Sequence, residues 1–117
     1  MPSNRDVLSL MLESKGYICR EAADGYAALA ALERQAFDFI ILDIHMAPLD
    51  GIETLRRIRA SGSRYANIPV IALTADNAPR INAESLEAGA DLFLTKPIKQ
   101  DELLSAISYL QLSLIHI

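Results

Sequence analysis

Short, continuously apolar runs alternate with helical patterns along almost all of the 117 residues. Runs such as FDFIIL (37–42) and IPVIAL (68–73) end in continuous apolar stretches, which are typical of parallel strands covered on both faces. Parallel strands need crossover connections, and the helical patterns between the runs can supply them. The sequence therefore predicts an α/β fold with one parallel sheet and helices on both of its faces.

Turn and capping residues mark the ends of the predicted elements. Strands are predicted over the following stretches: 17–22, 37–42, 68–73 and 91–94. Helices are predicted as follows: up to Gly16, over 26–35, from Asp50 to about residue 60, over 80–88, and from Asp101 to Gln111. In the third helix the apolar side chains should face the sheet, while Arg56, Arg57 and Arg59 should form a solvated face.

Composition limits the class of protein. The length and the hydrophobic fraction of 51% suit a single domain with one core. Eleven basic residues against fifteen acidic ones give a net charge of −4, which argues against direct binding to nucleic acid or to an anionic membrane. The single cysteine, Cys19, cannot form an internal disulfide, and no signal peptide or membrane-spanning run is evident. We therefore expect a cytoplasmic protein.

Three polar residues follow predicted strands, and the carboxyl ends of parallel strands meet at one edge of a sheet. They are Asp43, Thr74 and Lys96. Singly, each has a simpler explanation: a turn former or helix cap, a β-branched strand residue and a solvated charge. Together they make a plausible phosphoryl-transfer site, with a carboxylate nucleophile and with a hydroxyl, an ammonium and a cation such as Mg²⁺ to stabilise phosphoryl oxygens.

At these residues the chain resembles the receiver domains of bacterial two-component signalling, particularly those attached to hybrid sensor kinases. The motifs that carry the resemblance are LDIHMAPLDG (42–51), VIALTA (70–75) and DLFLTKPI (91–98). It extends over residues 2 to about 111. The resemblance implies a flavodoxin-like, doubly wound parallel sheet with strand order 2-1-3-4-5.

The resemblance also implies roles for individual residues. Asp43 matches the phosphoacceptor, Thr74 matches the hydroxyl that moves towards the phosphoryl group, and Lys96 matches the ion-pairing lysine. The bond from Lys96 to Pro97 is expected to be cis. Phe93 matches the aromatic switch position, whose rotamer reports phosphorylation.

Mg²⁺ is the cofactor that the resemblance implies, with Asp43 and the backbone carbonyl of His45 as ligands. Receivers also supply two adjacent acidic residues after an apolar first strand, and neither this strand nor the acidic pair is evident in MPSNRDVLSLML. We therefore expect an N-terminally truncated receiver domain over 1–111, with its central strand missing and its metal binding impaired. The apolar segment 112–117 breaks the preceding helical pattern, and we expect it to be a non-native tail.

The favoured function is a phosphoacceptor module, not a stand-alone enzyme. Its expected partners are a histidine kinase or histidine phosphotransfer domain, which donates to Asp43, and an output domain or partner protein. That partner would read the surface formed by the fourth helix, the last strand and the last helix. The alternatives are a phosphorylation-independent pseudo-receiver or inactive fragment and, less favoured, a flavin or nucleotide binder on the same topology. Flavin absorbance of the purified protein would reveal the last.

Overall fold

The computed structural model of the chain describes residues 4–22, 24–44, 50–75 and 79–115. Its elements are, in chain order, α1 (Asn4–Glu13), α2 (Gly25–Arg34), β1 (Ile40–Asp43), α3 (Gly51–Arg59), β2 (Val70–Thr74), α4 (Pro79–Ala88), β3 (Leu92–Thr95) and α5 (Gln100–Ile115). Within these ranges, no helix is both long enough and apolar enough to cross a membrane.

Aspartate side chains begin two of the helices. Asp24 Oδ1 accepts a hydrogen bond of 2.8 Å from the amide of Ala27, and Asp50 Oδ1 accepts one of 2.8 Å from the amide of Glu53. Each bond satisfies a backbone donor that has no partner within the first turn of its helix. The cap on α3 fixes the start of the helix whose first residue, Gly51, lies against the end of β1.

The three strands form one parallel sheet in the order β1-β2-β3. Leu42 is paired with Ala72, and Asp43 with Leu73. On the other side of β2, Thr74 is paired with Thr95. The carboxyl ends of the three strands therefore meet at one edge, as the apolar runs predicted.

The sheet is covered on both faces, which confirms the predicted layers. One core contains Leu42, Val70 and Ala72 of the sheet with apolar side chains of α2 and α3. The other contains Ile71 and Leu73 with side chains of α1 and α5. All five residues of β2 are buried, since this central strand has neighbours on both edges and helices on both faces.

The strand predicted over 17–22 does not form. The segment has no ladder hydrogen bonds and Ile18 is fully exposed, although the ring of Tyr17 packs edge-on against Phe39 at a centroid distance of 5.8 Å. A strand needs a hydrogen-bonded neighbour. In the implied order, this strand pairs only with the central one, and the described residues provide no strand beside the outer edge of β1.

The prediction that Arg59 lies on a solvated face was wrong. Its guanidinium donates to the carbonyl oxygens of Gly89 (2.8 and 3.0 Å), Ala66 (2.9 Å) and Ile68 (2.6 Å). It also forms an ion pair with Asp91 at 3.3 Å. Burial lowers the pKa of this guanidinium, and the Asp91 charge opposes that effect. Arg59 therefore ties the end of α3 to the segments that lead into β2 and β3.

Replacing Arg59 with methionine should lower the free energy of unfolding by about 2–3 kcal/mol, because three carbonyl oxygens lose a charged donor. Arg56→Met is the matched control: this side chain is exposed on the same helix, and its loss should change stability by no more than about 0.5 kcal/mol. Urea denaturation of the two variants measures the difference. Equal midpoints would refute the role of Arg59.

The last helix differs from its predicted limits at both ends. It begins at Gln100, so that Asp101 lies within its first turn, and it continues beyond Gln111 to Ile115. A shift of one residue at the start is common where a cap prediction rests on residue type alone. The non-native origin of segment 112–117 remains a prediction.

Candidate functional site

A carboxylate and an ammonium group meet at the carboxyl edge of the sheet. Asp43 ends β1, Lys96 directly follows β3, and Lys96 Nζ lies 2.8 Å from Asp43 Oδ2. Both side chains are partly accessible, at 31% for Asp43 and 26% for Lys96. An ion pair of this exposure contributes at most about 1 kcal/mol to stability. Because it is partly exposed, this pair contributes little to holding the fold together.

The start of α3 lies against the end of β1. The amide of Gly51 donates to the carbonyl oxygen of Ile44 at 3.0 Å, which places the start of α3 against the end of the strand. A Cβ atom at Gly51 would lie 2.5 Å from Ile44 Cα and 2.6 Å from the carbonyl oxygen of Asp43. Glycine is therefore required here for a close approach between backbones.

Thr74 ends β2 and is completely buried. Its carbonyl oxygen accepts a hydrogen bond of 2.9 Å from the amide of Lys96, so its backbone is tied to the residue that pairs with Asp43. Its hydroxyl donates instead to Asn82 Oδ1 of α4, at 2.6 Å. The structure thus brings the three predicted residues to one edge, but it directs the Thr74 hydroxyl towards α4.

The structure describes some, but not all, of the other residues to which the resemblance gives a role. The peptide bond between Lys96 and Pro97 is cis, as expected. Phe93 lies in β3, half-buried against the core formed by α2, α3 and the sheet. His45, the expected source of a carbonyl ligand, lies outside the described residues.

The described residues do not form a complete Mg²⁺ site. No group of three or more Asp, Glu, His or Cys side chains in the described parts of the chain could hold a metal ion. At the carboxyl edge of the sheet, Asp43 supplies a carboxylate whose Oδ2 already contacts the Lys96 ammonium. Mg²⁺ usually keeps several waters and takes only one or two carboxylates with phosphate oxygens, so Asp43 could supply one of its ligands.

Asn82 was missed in the sequence. It lies in α4, eight residues after Thr74, and no charged or metal-ligand pattern marks it. The available signal was the helical period, which could have placed an amide on the face of α4 that packs on the sheet. Asp91 was also missed as a structural residue: its Oδ2 accepts the amide of Val70 at 2.8 Å.

A parallel α/β domain with a carboxylate and a lysine at the carboxyl ends of its strands belongs to the class of open-sheet proteins whose ligands bind at that edge. Comparison with known proteins makes the class specific. Residues 1–108 match the response regulator receiver domain family, and the chain belongs to this family.

Individual relatives agree with this assignment. The chain is 37% identical over 106 residues to the CAI-1 autoinducer sensor kinase/phosphatase CqsS of Vibrio cholerae, covering 91% of this chain and 16% of that protein. It thus spans a small part of that relative's length. It also matches the response regulator MprA of Mycobacterium leprae at 37% identity, covering 88% of this chain and 44% of that protein.

Solved structures confirm the flavodoxin-like receiver fold. The receiver domain of the sensor histidine kinase PA1611 from Pseudomonas aeruginosa superposes with a TM-score of 0.82 at 36% identity, covering 91% of this chain and 86% of that one. That structure has a magnesium ion coordinated in its active site cleft. The chemotaxis protein CheY4 of Vibrio cholerae superposes with a TM-score of 0.82 at 33% identity, covering 90% of this chain and 87% of that one.

Proposed function

We propose that the chain is a phosphoacceptor module of a two-component phosphorelay and that Asp43 accepts the phosphoryl group. A histidine kinase or histidine phosphotransfer domain is the donor. One carboxylate oxygen of Asp43 attacks the phosphorus atom, a P–O bond forms as the P–N bond of phosphohistidine breaks, and the released imidazole nitrogen keeps the electron pair. The product is an acyl phosphate on Asp43.

The contact of 2.8 Å between Lys96 Nζ and Asp43 Oδ2 is the observation that carries this proposal. An ammonium group at this distance is positioned to contact an oxygen of a phosphoryl group attached to the carboxylate. It would offset negative charge that develops during transfer, and such preorganised charge is a large contribution to catalysis. Family membership supports the same assignment.

Incubation with acetyl phosphate and Mg²⁺, followed by intact-mass measurement, tests the proposed function. The chain should gain the mass of one phosphoryl group, and hydroxylamine should remove it, because acyl phosphates react with this nucleophile. Incorporation should require a high concentration of Mg²⁺, since the described residues supply few metal ligands. A chain that gains no phosphoryl group at any Mg²⁺ concentration would refute the proposal.

Lys96→Gln should slow phosphoryl incorporation by about 100-fold, because a charged donor is lost beside the reacting oxygens. Stability should change by less than about 1 kcal/mol, since the ion pair is partly exposed. Lys99→Gln is the matched control, because Lys99 is an exposed lysine three residues further on. A similar rate for both variants would show that Lys96 has no role in transfer.

We further propose a cytoplasmic location and an output domain or partner protein that reads the surface of α4, β3 and α5. These assignments are supported by membership of the receiver family.

A second candidate is a phosphorylation-independent pseudo-receiver, which is favoured by the lack of a three-residue metal cluster among the described side chains. A partner that binds the wild-type chain and Asp43→Asn equally, with no labelling of either, would favour this second function.

A further inference from the structure

The Thr74 hydroxyl has a specific partner outside the carboxylate site. Thr74 is fully buried, and its Oγ1 donates to Asn82 Oδ1 at 2.6 Å. A hydroxyl carries one proton and can donate only one strong hydrogen bond at a time. In this structure that bond joins the end of β2 to the first turn of α4.

Asn82 is itself held within α4. Its carbonyl oxygen accepts a hydrogen bond of 2.8 Å from Ser85 Oγ, and Ser85 is fully buried. The carbonyl oxygen of Ser85 in turn accepts the amide of Ala90 at 3.0 Å, in the turn that leads to β3. The Thr74 hydroxyl is therefore linked through Asn82 to the packing of α4 on the sheet.

Thr74 is also linked to Asp43. The Lys96 amide donates to the Thr74 carbonyl oxygen at 2.9 Å, while Lys96 Nζ contacts Asp43 Oδ2 at 2.8 Å. Thr74 thus lies between a helix that holds its hydroxyl and the residue that pairs with the proposed phosphoacceptor. A phosphoryl oxygen on Asp43 would be an alternative acceptor for the same proton.

We propose that Asn82 is a positioning residue that holds the Thr74 hydroxyl on α4 while Asp43 is unmodified. A phosphoryl group on Asp43 must compete with Asn82 for the single Thr74 proton. This inference rests on the proposed function of Asp43. Two arrangements are therefore mutually exclusive. In one, the Thr74 hydroxyl is bound to Asn82 of α4; in the other, it is turned to the phosphoryl group and α4 is released from this bond.

A double-mutant cycle measures the contact itself. Thr74→Val and Asn82→Leu each remove one partner while keeping a side chain of similar size. The unfolding equilibrium constants of the two single variants and the double variant should reveal a coupling of about fivefold. Asn82→Asp, which keeps an oxygen acceptor, should retain the coupling to Thr74. Additive effects of Thr74→Val and Asn82→Leu would overturn the inference.

Labelling with acetyl phosphate measures the competition. In the wild-type background, Asn82→Leu should raise the equilibrium ratio of phosphorylated to free protein by about fivefold at fixed donor concentration. In the Thr74→Val background the same change should have no effect on this ratio, because valine has no hydroxyl proton to donate. A purely structural role of Asn82 would alter both backgrounds alike.

The outcomes separate this inference from the proposed function. Labelling that occurs but is indifferent to Asn82, or that responds equally in both backgrounds, would overturn the competition while the role of Asp43 stands. Absence of labelling in every variant, whatever the unfolding cycle shows, would overturn both. A Thr74-dependent increase in labelling together with a measurable coupling supports the inference.

Discussion

Replacing Asp43 with asparagine is expected to reduce phosphoryl incorporation by at least about 10³-fold, to the background level. The substitution keeps the size of the side chain but removes the nucleophilic carboxylate oxygen, for which an amide is a poor substitute. It also replaces the partly exposed ion pair with Lys96 by a contact between an amide and the ammonium, so the variant should remain folded. Intact-mass measurement after incubation with acetyl phosphate gives the ratio of incorporation.

Asp38→Asn is the matched control for this experiment. Asp38 is exposed and lies two residues before β1, whereas Asp43 lies at the opposite end of the strand. The control makes the same chemical change and removes the same unit of charge. It should therefore incorporate phosphoryl groups at the wild-type rate. Equal incorporation by Asp43→Asn and Asp38→Asn would place the acceptor elsewhere in the chain.

Replacing Gly51 with alanine is expected to lower the free energy of unfolding by about 3 kcal/mol, because the added methyl group overlaps backbone atoms that cannot move independently. Its carbon would lie 2.5 Å from Ile44 Cα and 2.6 Å from the Asp43 carbonyl oxygen. Relief of the overlap requires α3 to move away from β1, which would also shift Asp43 relative to Lys96. Phosphoryl incorporation should therefore fall together with stability.

Gly62→Ala separates this overlap from the general effect of changing a glycine. Gly62 has a φ of 65° and open space where a Cβ would lie, so its replacement costs only backbone strain of about 1 kcal/mol. It should leave phosphoryl incorporation unchanged. Chemical denaturation of both variants gives the comparison. If Gly51→Ala lowers the free energy of unfolding no more than Gly62→Ala does, the close approach of α3 to β1 does not require glycine at position 51.

The sequence predicted the layered fold because its signals are local. A continuous apolar run marks β2 wherever the strand is placed, and aspartates before α2 and α3 cap those helices through contacts three residues away. The proximity of Asp43 to Lys96 could also be predicted from the sequence, since parallel strands bring their carboxyl ends to one edge. Two residues 53 positions apart could thus be expected to meet.

The remainder depends on neighbours that the local pattern does not contain. Segment 17–22 has the composition of a strand, but a strand forms only beside a hydrogen-bonding partner, and the described residues supply none there. Arg59 has the residue type of a solvated face, yet four oxygen acceptors from distant segments surround it. The helical period can place Asn82 on the sheet-facing side of α4, but its contact with Thr74 depends on how far along the sheet the helix packs, which periodicity does not fix.

Identification of the phosphorylated residue tests the central claim most directly. Borohydride reduces an acyl phosphate of aspartate to homoserine, so treatment of the acetyl phosphate-labelled chain followed by peptide mass spectrometry marks the acceptor. The account predicts homoserine at position 43 in the wild-type chain and in Asp38→Asn, and no homoserine in Asp43→Asn. Homoserine at another position, or an unmodified position 43 in a chain that has gained a phosphoryl group, would contradict it.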